Sequence, residues 1–310
     1  MINRRSFGKQ IAASVPVVTI LAAVAGRSQE QPPAPPSGTP PAGRGQGGRG
    51  GPGGGRGPAG PPDPMAGSPV GDPLPGQKWR VHDHNRPQPR KVTPGKPIPT
   101  MSAPSDAIVL FDGKDLSQWT GGAGRGGGPV QEPRWKIADG HMEMAGGLVT
   151  KESFGDIQLH LEWTTPTGVD PSRIGQQRGN SGIVFMGRYE VQILSGFNNP
   201  TYPDGGVAGI YGVYPPMVNP CLPEGEWNTF DFVFEAPKFD GEKLVKPAFI
   251  TLFFNGIMVH NRAELLGTTN HEPIAVYTAH APELPLQLQG HAGPAWFRNV
   301  WVRRILGYDA

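Results

Sequence analysis

The sequence predicts an all-β fold, a sandwich or jelly roll with a single core over residues 105–310. Three observations carry this. From Ile108 onward, short runs alternate apolar and polar residues with a period of two, as a half-buried strand requires. Clusters of Gly, Pro and Asn break the runs at short intervals. No apolar repeat of period 3.6 is sustained over three turns, which excludes strands alternating with helices.

The elements follow in order. Ile108-Val109-Leu110-Phe111 opens the pattern and stops at Asp112-Gly113. Ile157 to Trp163 alternates strictly, with Ile, Leu, Leu and Trp on one face and Gln, His and Glu on the other. Tyr189 to Ile193 and Trp227 to Phe234 repeat that pattern. Phe249 to Phe254, Asn255-Gly256, then Ile257 to His260 reads as a hairpin, because both central residues of a type I′ turn need positive φ. Arg262 to Leu266 is read as one short helical turn, and Phe297 to Arg303 closes the series.

Upstream of the domain the composition changes. The chain holds 46 Gly and 37 Pro, concentrated between Gln31 and Pro75, and such a stretch buries too little surface to fold alone. Residues 26–104 are therefore assigned to a disordered Pro/Gly-rich linker, with Trp79 to Thr100 read either as part of it or as a segment lying along the domain. Residues 1–25 have the form of a secretory signal: the pair Arg4-Arg5, an apolar run from Ile11 and the ending Ala23-Val24-Ala25. The paired arginines point to the twin-arginine route and a periplasmic or secreted location, with no stable membrane span after cleavage. A formal net charge of +2 singles out no polyanionic partner, and the tract bearing Arg44, Arg49 and Arg56 is read as a solvated spacer rather than a nucleic-acid site. Cys221 is the single cysteine, so no internal disulfide staples the fold. It is read as a small apolar residue of a Pro-rich loop.

Two strands carry polar rows. Glu190 and Gln192 share one face, about 7 Å apart along the strand, opposite Tyr189, Val191 and Ile193. Gln287, Gln289 and His291 face away from Leu286 and Leu288. Planar amides and carboxylates suit pairs of sugar hydroxyls, and Trp or Tyr suits the apolar face of a sugar ring. A carbohydrate is therefore the expected ligand. Sandwich glycosidases with the catalytic pattern E-x-D-x-x-E use paired carboxylates. Here the strand reads Glu190-Val191-Gln192-Ile193-Leu194-Ser195, which argues against two-carboxylate hydrolysis at this strand.

The ordered pieces are Leu110-Phe111-Asp112-Gly113-Lys114-Asp115-Leu116-Ser117-Gln118-Trp119, Gly179-Asn180-Ser181-Gly182-Ile183, Tyr189 to Leu194, Ala208-Gly209-Ile210-Tyr211-Gly212, Gly225-Glu226-Trp227-Asn228, Asn255-Gly256, and Leu288-Gln289-Gly290-His291 through Phe297-Arg298-Asn299-Val300. From Ile108 to Ile305 this set resembles the 3-keto-disaccharide hydrolase family, similar in fold to concanavalin A-like jelly rolls. The resemblance implies a glycoside already oxidised at C3, in which a base removes the C2 proton, the C1 substituent leaves by β-elimination and water then adds. It implies His291 or Glu190 as the proton-transfer residue, and Asn180, Gln192 and Gln289 as holders of hydroxyls or of the keto oxygen. It further implies Tyr211 as a stacking group or a donor to the leaving oxygen, and Arg298 as support for Glu190 or for developing negative charge. Ser195 stands where the family wording usually has an aspartate; Asp204 in the following loop is a candidate substitute. A divalent cation, Ca²⁺ or Mn²⁺, is left open. The alternative from another class is a non-catalytic carbohydrate-binding module on a flexible tether.

Overall fold

The alternating runs become strands of two facing sheets in the computed structural model, which describes residues 69, 71–96, 101–122, 130–170, 172–271, 276–291 and 293–308. The expected signal segment 1–25 and the Gly-rich stretch through residue 68 lie outside the described residues. In chain order the strands are β1 (Arg90–Lys91), β2 (Ile108–Phe111), β3 (Trp119–Gly121), β4 (Lys136–Ala138), β5 (His141–Glu143), β6 (Leu148–Phe154), β7 (Ile157–Thr164), β8 (Ser181–Phe185) and β9 (Tyr189–Ile193). They continue as β10 (Val218–Asn219), β11 (Asn228–Glu235), β12 (Lys238–Asp240), β13 (Lys243–Lys246), β14 (Phe249–Phe254), β15 (Ile257–Glu264), β16 (Leu284–Gly290) and β17 (Trp296–Arg304).

The larger sheet has eight strands in the order β15-β14-β11-β7-β17-β5-β4, with β2 also paired to β17. The smaller has five, ordered β3-β6-β16-β8-β9. Aromatic residues from the two inner faces meet. Phe185 of β8 stacks on Phe234 of β11 at 4.6 Å between ring centroids and meets Phe232 edge-on at 5.2 Å. Phe230, Phe254 and Trp163 continue the same layer, and all are at most 1% exposed. Burying a side chain of this size stabilises by roughly 1.5–3 kcal/mol. The alternation therefore decides which face of each strand becomes core.

The hairpin forms as expected: Asn255 and Gly256 have φ of 49° and 74° and join β14 to β15. The short helical turn expected at Arg262 to Leu266 does not form. β15 continues to Glu264 through two register shifts against β14, because Ala263 and Glu264 still find strand partners in Ile250 and Phe249.

Residues 71–96 fall within the stretch that composition assigned to the linker, and they pack on the sandwich. Leu74 and Val81 are buried, and His82 is 1% exposed. Side chains tie the segment to the loop over residues 201–213: Arg86 donates to the Val213 carbonyl at 2.9 Å and Gln88 to the Thr201 carbonyl at 2.6 Å. β1 then pairs in parallel with β10. Averaged composition hides this segment because two apolar anchors among many prolines scarcely change the mean.

Candidate functional site

The outward face of β16, β8 and β9 supplies the floor. Antiparallel register places Gln289 opposite Gly182, and Gly182 opposite Gln192. Glu190 lies two pairs further along, opposite Val184 and on the same face as Gln192. Because residue 182 has no side chain, the carboxyl of Glu190 lies across it.

Two loops build the walls. The segment at 208–211 runs along the free edge of β9, where Ala208 N–H donates to Gln192 O, Gln192 N–H to Gly209 O and Tyr211 N–H to Glu190 O, at 2.8, 2.9 and 3.1 Å. That pairing sets Tyr211 beside Glu190. Behind it, buried His260 donates from Nε2 to the Ala208 carbonyl at 2.7 Å. The second loop is fastened by Thr269, whose hydroxyl accepts the Glu190 N–H at 2.8 Å and donates to Arg188 O at 3.0 Å. It presents Asn270 and His271. The tyrosine hydroxyls form a short chain: Tyr202 and Tyr211 are 2.7 Å apart, and Tyr211 lies 3.1 Å from His271 Nδ1.

Together these residues enclose a cavity of about 470 Å³, ample for a sugar ring. Amides dominate its lining, with Gln176, Asn180, Gln192, Asn270 and Gln289, and Glu190 is the one carboxylate among the described lining residues. Gln176 organises one wall: its Oε1 accepts from Asn180 Nδ2 at 3.0 Å and lies 2.9 Å from the Gln192 amide. Its own amide nitrogen donates to the Gly205 carbonyl at 2.7 Å. Burial pushes Glu190 up to about 7 by stripping the carboxylate of its hydration. Burial, partly opposed by the Tyr211 hydroxyl, pushes Tyr202 up to about 12. Burial and then the field of Tyr202 and Glu190 raise Tyr211 further, so both hydroxyls keep their protons at neutral pH. The site thus sets a carboxyl that titrates near neutrality beside fixed O–H and amide donors.

The structure brings Asn180, Glu190, Gln192, Tyr211, Gln289 and His291 to this cavity. Gln287 is not among its lining residues; its amide lies against Gly187. Gln192 is 1% exposed and serves mainly to hold Gln176. Arg298 is elsewhere, which corrects its expected support of Glu190. It sits on β17 in the larger sheet, donates to Glu162 at 2.7 Å and lies 4.1 Å over the Trp227 ring. Strand alternation told which neighbours share its face, but not which sheet β17 would join. Ser195 donates to Glu224 at 2.7 Å, and Asp204 is fully buried. No three His, Cys, Asp or Glu side chains among the described residues gather as a metal-holding group.

Gln176, Tyr202, Thr269, Asn270 and His271 were not singled out from the sequence. They sit in irregular segments, where no period marks a face. The run Thr269-Asn270-His271 following the β15 strand was the available signal.

An outer-face cavity lined by amides, with one neutral-range carboxyl among its described lining residues, suits a carbohydrate-active class of protein. The chain belongs to the family of 3-keto-alpha-glucoside-1,2-lyase-like domains, whose profile matches residues 106–303. It is similar to a crystal structure of a candidate glycosyl hydrolase from Parabacteroides distasonis ATCC 8503, with 39% identity, a TM-score of 0.61 and coverage of 71% of this chain and 93% of that one. A second candidate glycosyl hydrolase of the same organism aligns at 18% identity with a TM-score of 0.47, over 65% of this chain and 94% of that one. No curated protein matches the chain.

Proposed function

We propose that the protein cleaves 3-keto-glycosides by C2 proton abstraction, β-elimination and hydration, after export by the twin-arginine route to the periplasm or beyond. One observation carries this reading: among the described lining residues the cavity offers one carboxyl, Glu190, held near neutrality by burial, where two-carboxylate hydrolysis needs a pair. A ketone at C3 acidifies the C2 hydrogen, so one base suffices. Glu190 or His291 takes that proton, and the electron pair passes into an enolate on the C3 oxygen. Amide and tyrosine donors lining the cavity stabilise the oxyanion. Collapse of the enolate re-forms the ketone, creates the C1–C2 double bond and breaks the C1–O bond. The leaving oxygen receives a proton from Tyr211 or from the acid form of the base. Water then adds its oxygen to C1 and its proton to C2, so the net change is hydrolysis.

The test uses the full chain with a chromogenic 3-keto-glucoside and the same glucoside unoxidised, in chelator and with added Mn²⁺ or Ca²⁺. Release from the keto substrate alone is expected. Glu190→Gln and His291→Ala then identify the base by which of them loses turnover. Binding of the keto sugar without any product under all conditions overturns the catalytic reading in favour of a carbohydrate-binding module.

A further inference from the structure

Beneath the tyrosine pair lies a carboxylate–imidazole pair whose imidazole comes from outside the matched family domain. His82 belongs to segment 71–96, whereas the family match begins at residue 106. Its backbone N–H donates to Asp204 Oδ2 at 2.8 Å, and its Nδ1 lies 3.3 Å from Oδ1. Both groups are sealed from solvent, at 1% and 0% exposure. A carboxylate accepts only, so the ring must carry its proton on Nδ1 to face it. That leaves Nε2, which is buried without a hydrogen-bond partner among the described residues. A buried polar atom left unpaired in this way points to a role beyond packing.

The ring also touches the site. His82 lies 4.3 Å from Tyr202, 5.1 Å from Tyr211 and 5.1 Å from His271 between ring centroids, so it contacts every member of the hydroxyl chain. Its backbone sits at a φ of 55°, a conformation that costs free energy for a residue other than Gly, Asn or Asp. The chain accepts that strain where the ring enters between the two loops. Asp204 is held in turn, since its carbonyl accepts the Gly212 N–H at 3.1 Å on the loop that carries Tyr211.

We propose that His82, locked by Asp204, is a positioning residue for the Tyr202–Tyr211 hydroxyl pair, so that segment 71–96 is part of the functional unit. This rests on the reading of the cavity as a 3-keto-glycoside site, in which those hydroxyls meet the substrate's oxygens. His82 acts through the tyrosines: it fixes their rings and sets the direction in which Tyr211 presents its proton.

The full chain carrying His82→Asn tests this, because Asn tolerates positive φ and keeps a donor for Asp204 while removing the ring. Tyrosine labelled at Cζ reports hydroxyl exchange by NMR through the deuterium isotope shift. In the wild type, Tyr202 and Tyr211 should show slowly exchanging hydroxyls, and His82→Asn should lose that protection. Turnover of the keto substrate should fall about tenfold to a hundredfold in kcat with KM within about threefold, the signature of misplaced groups. Asp204→Asn, which keeps the ring but frees it, should do the same to a smaller extent and carries the test if His82→Asn fails to fold. Unchanged hydroxyl exchange and unchanged kcat in a folded variant overturn the proposal. If the wild type turns over no keto sugar, the functional reading falls, and the exchange measurement alone still decides whether His82 positions the pair.

Discussion

Gly182 lies directly beneath the carboxyl of Glu190: a β-carbon at 182 would collide with Oε1 and come within 3.0 Å of Cγ and Cδ. The glycine is therefore the cradle of the one carboxyl among the described lining residues. Gly182→Ala should push the flexible Glu190 side chain out of place, lowering kcat at least about tenfold at little cost in stability. Steady-state kinetics and a denaturant melt check both. Wild-type turnover in this variant would show that the position of the carboxyl does not matter.

The environment of Glu190 couples function to stability. Its folded value of about 7 lies above the ordinary value of 4.5, so the folded state holds the proton that the unfolded chain releases. Its favourable contribution is fully present below pH 4.5 and is lost as pH rises through 7. Glu190→Gln, neutral at every pH, should raise stability at pH 8 by up to about 3 kcal/mol and leave pH 4 almost unchanged. Urea melts at the two values measure the difference.

His260 gives the opposite sign. Burial, outweighing the bond to the Ala208 carbonyl, holds it down to about 4, against 6.5 in the unfolded chain. Stability from this group is full above pH 6.5 and is lost as pH falls through 4, with a slope of about 1.4 kcal/mol per pH unit at its steepest. His260→Gln can keep the N–H donor without titrating. It should flatten melts recorded between pH 7 and 4.

Arg298 is a stability residue by its contacts. Glu162, 2% exposed, would be raised by burial, but the nearby His160 ring and hydrogen bonds from Asn299 and Arg298 hold it down at about 2. His160, which burial would lower, is lifted to about 9 by Asp231 and Glu162. Arg298→Ala removes one donor from a buried carboxylate and should cost about 1–3 kcal/mol, while kcat and KM stay within about twofold. The loss of stability on acidification, which sets in near 4.5, should also be smaller and end at a higher pH, because Glu162 is then held down less. A large change in KM would return Arg298 to the site.

Much of the sandwich was legible because side-chain alternation is a local property. β9 and the hairpin at Asn255-Gly256 could be read from neighbouring residues alone, and so could the shared face of Glu190 and Gln192. The expected helical turn at Arg262 lost to long-range pairing with β14, which no local pattern encodes. Tyr202 and His271 reach the cavity on loops whose course depends on bonds such as Thr269 to Glu190, between residues far apart in sequence. His82 was obscured by the composition around it, and Arg298 by ignorance of its sheet.

The loop at 208–211 has one more consequence. β9 is the last strand of its sheet, and an open strand edge is a template on which another chain can add. Here Ala208, Gly209 and Tyr211 occupy the outward C=O groups of Glu190 and Gln192 and the N–H of Gln192, and the Thr269 hydroxyl takes the N–H of Glu190. The strand that carries the site's carboxyl is thus shielded from edge-to-edge aggregation by the same residues that build the cavity wall. Loosening that loop would expose a sticky edge along with the loss of Tyr211.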